Sequence, residues 1–295
     1  MNRIAYVNGQ YTAHHAAAVH VEDRGYQFSD GVYEVIPVVA GKQIDSVGHM
    51  ERLARSLSEL RIPAPMSERA MNLVINEVIR RNRVRNGYVY LQVTRGVAPR
   101  DHAFPTDPDS ALVIYARPKS SAARKSNAET GVAVITVPDQ RWARRDIKTV
   151  SLLPNCLAKQ AAKEAGAYEA FMYDREGMIT EGSSTNAWIV DQEGRLITRP
   201  ASNDILNGVT RLALMALVEE AGLEIVERPF SVEELRSARE VFLTSSSGMA
   251  TPVVKVDDRV IGNGRPGSVT CGIMERFESY VSGDETEIAA GRISA

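Results

Sequence analysis

Two amphipathic helical patterns follow one another in the first third of the chain, and strand patterns stand on both sides of the pair. In VGHMERLARSLSELRI, Val47, Met50, Leu53, Leu57 and Leu60 recur at helical spacing. Pro63 and Pro65 stop that helix, because proline lacks an amide donor and its ring clashes with the preceding turn. A second helix starts near Ser67 and sets Met71, Val74, Ile75, Val78 and Ile79 on one face. Strands are predicted ahead of the pair at 4–7, closed by the hairpin signal Asn8-Gly9, and at 32–39; behind it they are predicted at 88–94 and 111–116. Elements that come in runs, without strict alternation, predict an α+β arrangement for the N-terminal part.

Residues 117–129, RPKSSAARKSNAE, are polar and short of large apolar groups, which is the composition of an interdomain linker. The expected division is a small N-terminal α+β domain over 1–117, a linker over 118–129 and a larger domain over 130–282. The tail over 283–295 is expected to fray. In the larger domain, strands are predicted near 131–137, 168–174, 186–191, 195–198 and 241–243, and helices at 209–221 and 268–281. Ser231 and Glu234 form a capping box that opens one more short helix.

Composition removes several classes of function. With 35 basic and 37 acidic residues the net charge is −2, so nothing points to nucleic acid or to an acidic membrane surface. No apolar run reaches membrane-spanning length, and the opening MNRIAYVNGQ lacks the apolar core of a signal peptide, so a cytoplasmic enzyme is expected. The two cysteines, Cys156 and Cys271, have neither CxxC nor zinc spacing and are expected to be small core residues.

The chemistry concentrates on one lysine and one carboxylate. Lys148 stands in RDIKTVS, and Glu181 follows in MITEGSSTNAWIV, which reads as strand, tight polar turn, strand, with Asn186 leaving the turn. A lysine and a carboxylate at opposite ends of one pocket suit pyridoxal 5′-phosphate. The amine forms a Schiff base with the aldehyde, and the carboxylate pairs with the protonated pyridine nitrogen. Taken alone, Lys148 reads more simply as one of many surface lysines.

Such a cofactor also needs an anion cup, built from helix N-termini, hydroxyls and arginine. Asn207-Gly208-Val209-Thr210 precedes a strongly apolar helix, so the amides of Val209 and Thr210 and the Thr210 hydroxyl would point outward; most helix starts with such a sequence bind nothing. Ser245-Ser246-Ser247-Gly248 is a second candidate cup or a plain polar turn. Arg52, in HMERL, is either a phosphate clamp or a solvated helix residue.

In order along the chain, RGYQFSDGVYEV, HMERL, RGVAPRDHAFP, DIK, EGSSTN and NGVTR resemble the fold-type IV pyridoxal-phosphate-dependent transaminases, and among them the D-amino-acid aminotransferases. The likeness extends to about residue 280; one departure is Trp188, where the family usually has Phe or Tyr. It implies a two-domain α+β fold, the larger domain with a β-barrel-like core, and a homodimer. It further implies Lys148 as the Schiff-base lysine, Glu181 as partner of the pyridine nitrogen and Asn186 as support for the Glu181 turn. Arg52, Val209, Thr210, Ser245 and Ser246 would bind phosphate, and Tyr33 would lie beside the cofactor with the Leu206-Asn207 loop near its ring.

The segment TRGVAPRDH decides the substrate. Arg100 and His102 stand two residues apart, so in extended chain they point the same way and could meet one carboxylate, for which arginine is the natural fork; unaided, such a pair is usually a solvated basic loop. The resemblance implies that this loop reaches the other subunit and, with Tyr33, traps the substrate carboxylate. The implied reaction moves the amino group of a D-amino acid such as D-alanine to a 2-oxo acid such as 2-oxoglutarate, by a ping-pong cycle with Lys148 as general base. Branched-chain transaminases usually show Phe-Glu-Gly where this chain has Tyr33-Glu34-Val35, aminodeoxychorismate lyases prefer Phe-Glu-Thr, and (R)-amine transaminases tend to lose the Arg-x-His pair.

Overall fold

The computed structural model describes residues 3–283. The chain forms two compact units, Met1–Ser120 with Ile147–Ser151, and Ser121–Asp146 with Leu152–Ala295. The tail expected to fray lies outside the described residues, apart from Gly283, which closes the last helix in a left-handed turn with φ 82°.

The first unit is built on an antiparallel sheet. Its elements are β1 (Ile4–Val7), β2 (Gln10–Ala13), α1 (Arg24–Phe28), β3 (Gly31–Val39), β4 (Lys42–Gln43), α2 (Ser46–Glu59), α3 (Glu68–Asn82), β5 (Gly87–Thr94) and β6 (Ala111–Pro118). The sheet order is β2-β1-β6-β5-β3-β4. Alternation along β3 sends Val32, Glu34, Ile36 and Val38 into the interior and turns Tyr33 and Val35 to the other face. The interior residues pack against Met50, Leu53 and Leu57 of α2 and Met71, Ile75 and Val78 of α3. Each such fully buried side chain contributes roughly 1.5–3 kcal/mol. Val47, expected on this face, is 58% exposed, because it stands in the first turn of α2 at the edge of the buried stripe. Ile147 joins the same core, and the Lys148 segment lies along β3: the Tyr33 amide donates to the Lys148 carbonyl (3.0 Å) and the Val150 amide to the Gly31 carbonyl (3.1 Å).

The second unit holds a mixed sheet. Its elements are α4 (Ala122–Thr130), β7 (Val132–Pro138), α5 (Leu153–Glu164), β8 (Glu169–Tyr173), β9 (Ile179–Gly182), β10 (Asn186–Val190), β11 (Leu196–Thr198), α6 (Val209–Glu220), β12 (Ile225–Glu227), α7 (Val232–Ser237), β13 (Glu240–Ser245), β14 (Met249–Val256), β15 (Arg259–Val260) and α8 (Ser268–Ser282). The strand order is β12-β11-β10-β13-β14-β7-β8-β9, with β15 on β14. Leu214, Leu217, Ile273 and Phe277 of α6 and α8 bury Trp188 and Phe242 on one side of the sheet. The Trp188 indole N–H donates to Thr244 Oγ1 at 3.0 Å and its ring stacks on Phe242, so this departure from the family pattern is fully accommodated.

Two expectations meet a different local structure, and one helix has no counterpart among them. The stretch expected as a linker over 118–129 carries α4 instead, which has no buried residue and is tied to α8 by Arg124 on Glu278 (2.9 Å); its polar composition suits an exposed helix as well as a linker. Cys156 is exposed and Cys271 half-buried, neither a core residue, because α5 and α8 pack through other faces. The α5 helix was not predicted, since its buried face is Ala158 and Ala162 while Leu153 and Leu157 are exposed. Among the described residues no helix is long and apolar enough to cross a membrane.

Candidate active site

In the first unit, Lys148 is half-buried, with Nζ 4.2 Å from the centroid of the Tyr33 ring. Tyr33 stacks on Tyr90 at 5.6 Å, and Tyr90 on Tyr115 at 5.1 Å, so three neighbouring strands present one aromatic face. The Tyr90 hydroxyl donates to Gln92 Oε1 (2.7 Å), and burial raises that phenol well above its ordinary value.

On the opposite face of β3, Glu34 is fully buried and takes both prongs of Arg52: Nε on Oε1 at 2.8 Å and Nη2 on Oε2 at 2.7 Å. His49 Nδ1 lies 2.7 Å from Oε2. Burial by itself would raise the Glu34 carboxyl, but the Arg52 charge, the Arg52 bonds and His49 outweigh it and hold the group down at about 2. Burial lowers His49, so with an ionised Glu34 the Nδ1–H tautomer donates to the carboxylate. Sequence reasoning named Arg52 but missed Glu34 and His49, which fix its orientation; the i, i+3 spacing of His49 and Arg52 on α2 was the available signal.

Arg100 and His102 are exposed and come to one ring. The Arg100 guanidinium lies 4.7 Å from the centroid of Phe28, and the His102 ring is 5.4 Å from it. Arg100 Nη1 also donates to Gln27 Oε1 at 3.3 Å. Their contacts thus run to α1 and not to Tyr33.

In the second unit, Glu181 at the end of β9 is 4% exposed and collects three kinds of donor. Arg141 Nη1 pairs with Oε1, Asn186 Nδ2 donates at 3.0 Å, and the Leu206 amide at 3.1 Å. Arg141 is shared: Asp139 receives its Nε at 3.0 Å and its Nη2 at 2.7 Å. Burial pushes the Glu181 carboxyl up; Arg141 and the Leu206 amide pull against this, and the negative Asp139 adds to it. Arg141, in QRWARRDIK, was missed because nothing local in that run marks one of three arginines as the partner of a carboxylate 40 residues away.

Asn186 links the cup candidates. Its Nδ2 also donates to the Leu206 carbonyl (2.8 Å), it pairs with Thr244 just before the Ser245–Gly248 turn, and its Oδ1 abuts Gly208. A Cβ on Gly208 would sit 2.2 Å from that oxygen, so any larger residue there would displace the Asn186 side chain. Gly208 caps α6 without a side-chain hydrogen bond, leaving the outward amides of Val209 and Thr210 to an external acceptor. Ser245 Oγ accepts from the Gly248 amide at 3.0 Å, shaping the turn that carries Ser246. In the preceding turn, Ser183 and Ser184 donate to the buried Glu169, while the buried Thr185 hydroxyl has no protein partner. A buried carboxyl that a cation would keep ionised, a glycine-led helix start and a buried hydroxyl without a partner among the described residues fit an anionic, nitrogen-heterocyclic cofactor.

Comparison with known proteins agrees with this chemistry. The amino-transferase class IV family matches residues 31–256. The D-alanine aminotransferase of Staphylococcus haemolyticus is 40% identical over 276 residues, 94% of this chain and 97% of that protein. That of Bacillus licheniformis is 38% identical over 274 residues, 93% of this chain and 95% of that protein. Among solved structures, the branched-chain amino acid aminotransferase of Escherichia coli superimposes with a TM-score of 0.92 at 28% identity, covering 99% of this chain and 98% of that one. With the family matching from β3 to the end of β14 and relatives 38–40% identical over more than nine-tenths of the chain, this protein belongs to the class IV aminotransferases.

Proposed function

We propose that the protein transfers the amino group of a D-amino acid, such as D-alanine, to a 2-oxo acid such as 2-oxoglutarate. The observation that carries the substrate choice is the pair Arg100 and His102 seated on one aromatic ring, in a chain whose β3 reads Tyr33-Glu34-Val35. The curated relatives named D-alanine aminotransferase support the same reading. The structural likeness to a branched-chain aminotransferase supports the alternative of a branched-chain L-amino-acid donor.

Pyridoxal 5′-phosphate, when bound, supplies an electron sink for the substrate's α-carbon. Lys148 would hold the cofactor covalently and then serve as general base, moving the α-proton. Tyr33 shields one side of the Lys148 amine with its ring. Glu181, ionised, would pair with the protonated ring nitrogen of the cofactor, and that positive charge would offset the burial that otherwise raises its carboxyl. Asn186 keeps Glu181 and the Leu206 loop in register. The Val209 and Thr210 amides, Ser245, Ser246 and Arg52 would bind the phosphate, and Glu34 and His49 orient Arg52. Arg100 and His102 would meet the substrate carboxylate.

The protein is proposed to act in the cytoplasm as a homodimer in which the Arg100 loop serves the partner's cofactor. Exposed Val19, Val21, Tyr26 and Val97 in the same unit support an unsatisfied apolar surface next to that loop. Offering D-alanine and L-leucine separately with 2-oxoglutarate tests the substrate. Turnover of D-alanine that is lost in Lys148→Ala is expected; turnover of L-leucine without D-alanine would replace this reading with the branched-chain one.

A further inference from the structure

The short helix α1 is the one segment of the motif RGYQFSDGVYEV that the catalytic assignments leave without a role, yet the structure wraps the carboxylate loop around it. Arg24, 3% exposed, turns its guanidinium onto three successive carbonyls of that loop. Nη1 donates to Asp101 O at 2.6 Å and to Ala103 O at 3.2 Å, and Nη2 to His102 O at 3.4 Å. Nε is held by Asp30 Oδ2 at 2.8 Å, a carboxylate that also receives the guanidinium of Arg95. One helical turn on, the Phe28 ring lies 4.8 Å from the Arg24 guanidinium and carries both Arg100 and His102.

We propose that α1 positions the substrate-binding loop, with Arg24 gathering its backbone and Phe28 seating the two side chains that recognise the carboxylate. This rests on the reading of Arg100 and His102 as carboxylate ligands. Three successive carbonyls drawn to one planar fork curl the chain at 101–103, and a lysine, with a single donor head, cannot reproduce that geometry. The helix itself is anchored at its N-terminal end. Its N-cap Asp23 accepts from the Gly25 amide at 2.8 Å and from Thr94 Oγ1 at 2.9 Å, and the Arg24 amide donates to Gly96 O at 2.9 Å. Seat and loop are thereby one piece, and the Arg100–His102 pair is presented ready-made. Recognition of a carboxylate by a pre-ordered loop shows in KM for substrate more than in the chemical step.

The test measures kcat and KM for D-alanine in holoenzyme, together with the yellow absorbance of bound cofactor, for Arg24→Lys, Phe28→Leu, Phe28→Tyr and Arg100→Ala. The expected result for Arg24→Lys is a KM about tenfold higher, with kcat within about threefold of the parent and unchanged cofactor content. Phe28→Leu should raise KM by about threefold, and Phe28→Tyr, which keeps the ring, should restore it. If Arg100→Ala raises KM while Arg24→Lys and Phe28→Leu leave it alone, or lower kcat and cofactor content instead, the positioning role is overturned and the carboxylate reading survives. If Arg100→Ala itself leaves KM unchanged, the carboxylate reading fails and this inference fails with it. Should Arg24→Lys not fold, the contrast between Phe28→Leu and Phe28→Tyr decides.

Discussion

Each unit buries one glutamate against one arginine, and the two carboxyls move in opposite directions. In the first unit Glu34 takes Nε and Nη2 of Arg52, with His49 as a third donor, and is held at about 2 although burial opposes this. In the second unit Arg141 is divided between Glu181 and Asp139, and Asp139 adds negative charge nearby, so burial wins and Glu181 rises. The lesson is that a buried carboxyl's direction is set by its desolvation against the charges around it: Arg52 and His49 in one case, Arg141 with a second carboxylate beside it in the other. Glu34 is a fixed anion that orients Arg52; Glu181 is a carboxyl that burial raises and whose ionised form a cationic ring nitrogen would stabilise.

The comparison is broken or sharpened by substitution. Glu181→Gln keeps the shape but removes the anion, and kcat for transamination should fall roughly 10²- to 10⁴-fold while denaturant unfolding changes little. Glu34→Gln should do the reverse: it removes the buried carboxylate that Arg52 and His49 face, costing about 3–5 kcal/mol in urea unfolding, with a smaller loss of kcat per folded molecule. Equal effects of the two substitutions on stability would erase the distinction.

The same contrast has a pH signature. Glu34 is depressed in the folded protein, so its stabilisation is fully present above its ordinary value of 4.5 and is lost as pH falls toward about 2. Acid unfolding of the parent should therefore steepen across that window, and Glu34→Gln should flatten it. Smaller effects are expected nearby. Arg141→Lys should lower kcat by about tenfold, because one ammonium cannot serve Asp139 and Glu181 together. Gly208→Ala should weaken cofactor retention by several-fold, about 1 kcal/mol, as Asn186 shifts from the new Cβ.

Much of the architecture was legible because it rests on period and punctuation. The alternation of β3, the heptad-like faces of α2 and α3 and the capping box of α7 are all local signals. Lys148, Glu181 and the Gly208-led helix start could be named for the same reason: each sits in a short segment whose chemistry is visible. Glu34 could not, since a carboxylate among Val32 and Ile36 on an inward strand face looks like an anomaly until α2 delivers Arg52 and His49. Arg141 and Arg24 were hidden similarly, because their partners at 181 and 101–103 are far away in the chain. The α5 helix escaped because alanines, not large apolar residues, carry its buried face.

The most direct test of the account is a single-turnover experiment on the holoenzyme without 2-oxo acid, following the yellow absorbance after addition of D-alanine, L-alanine or L-leucine. The account predicts rapid bleaching by D-alanine, little by either L-amino acid, and loss of the D-alanine response in Arg100→Ala at the same substrate concentration. Bleaching by L-leucine faster than by D-alanine, with Arg100→Ala behaving as the parent, would contradict it.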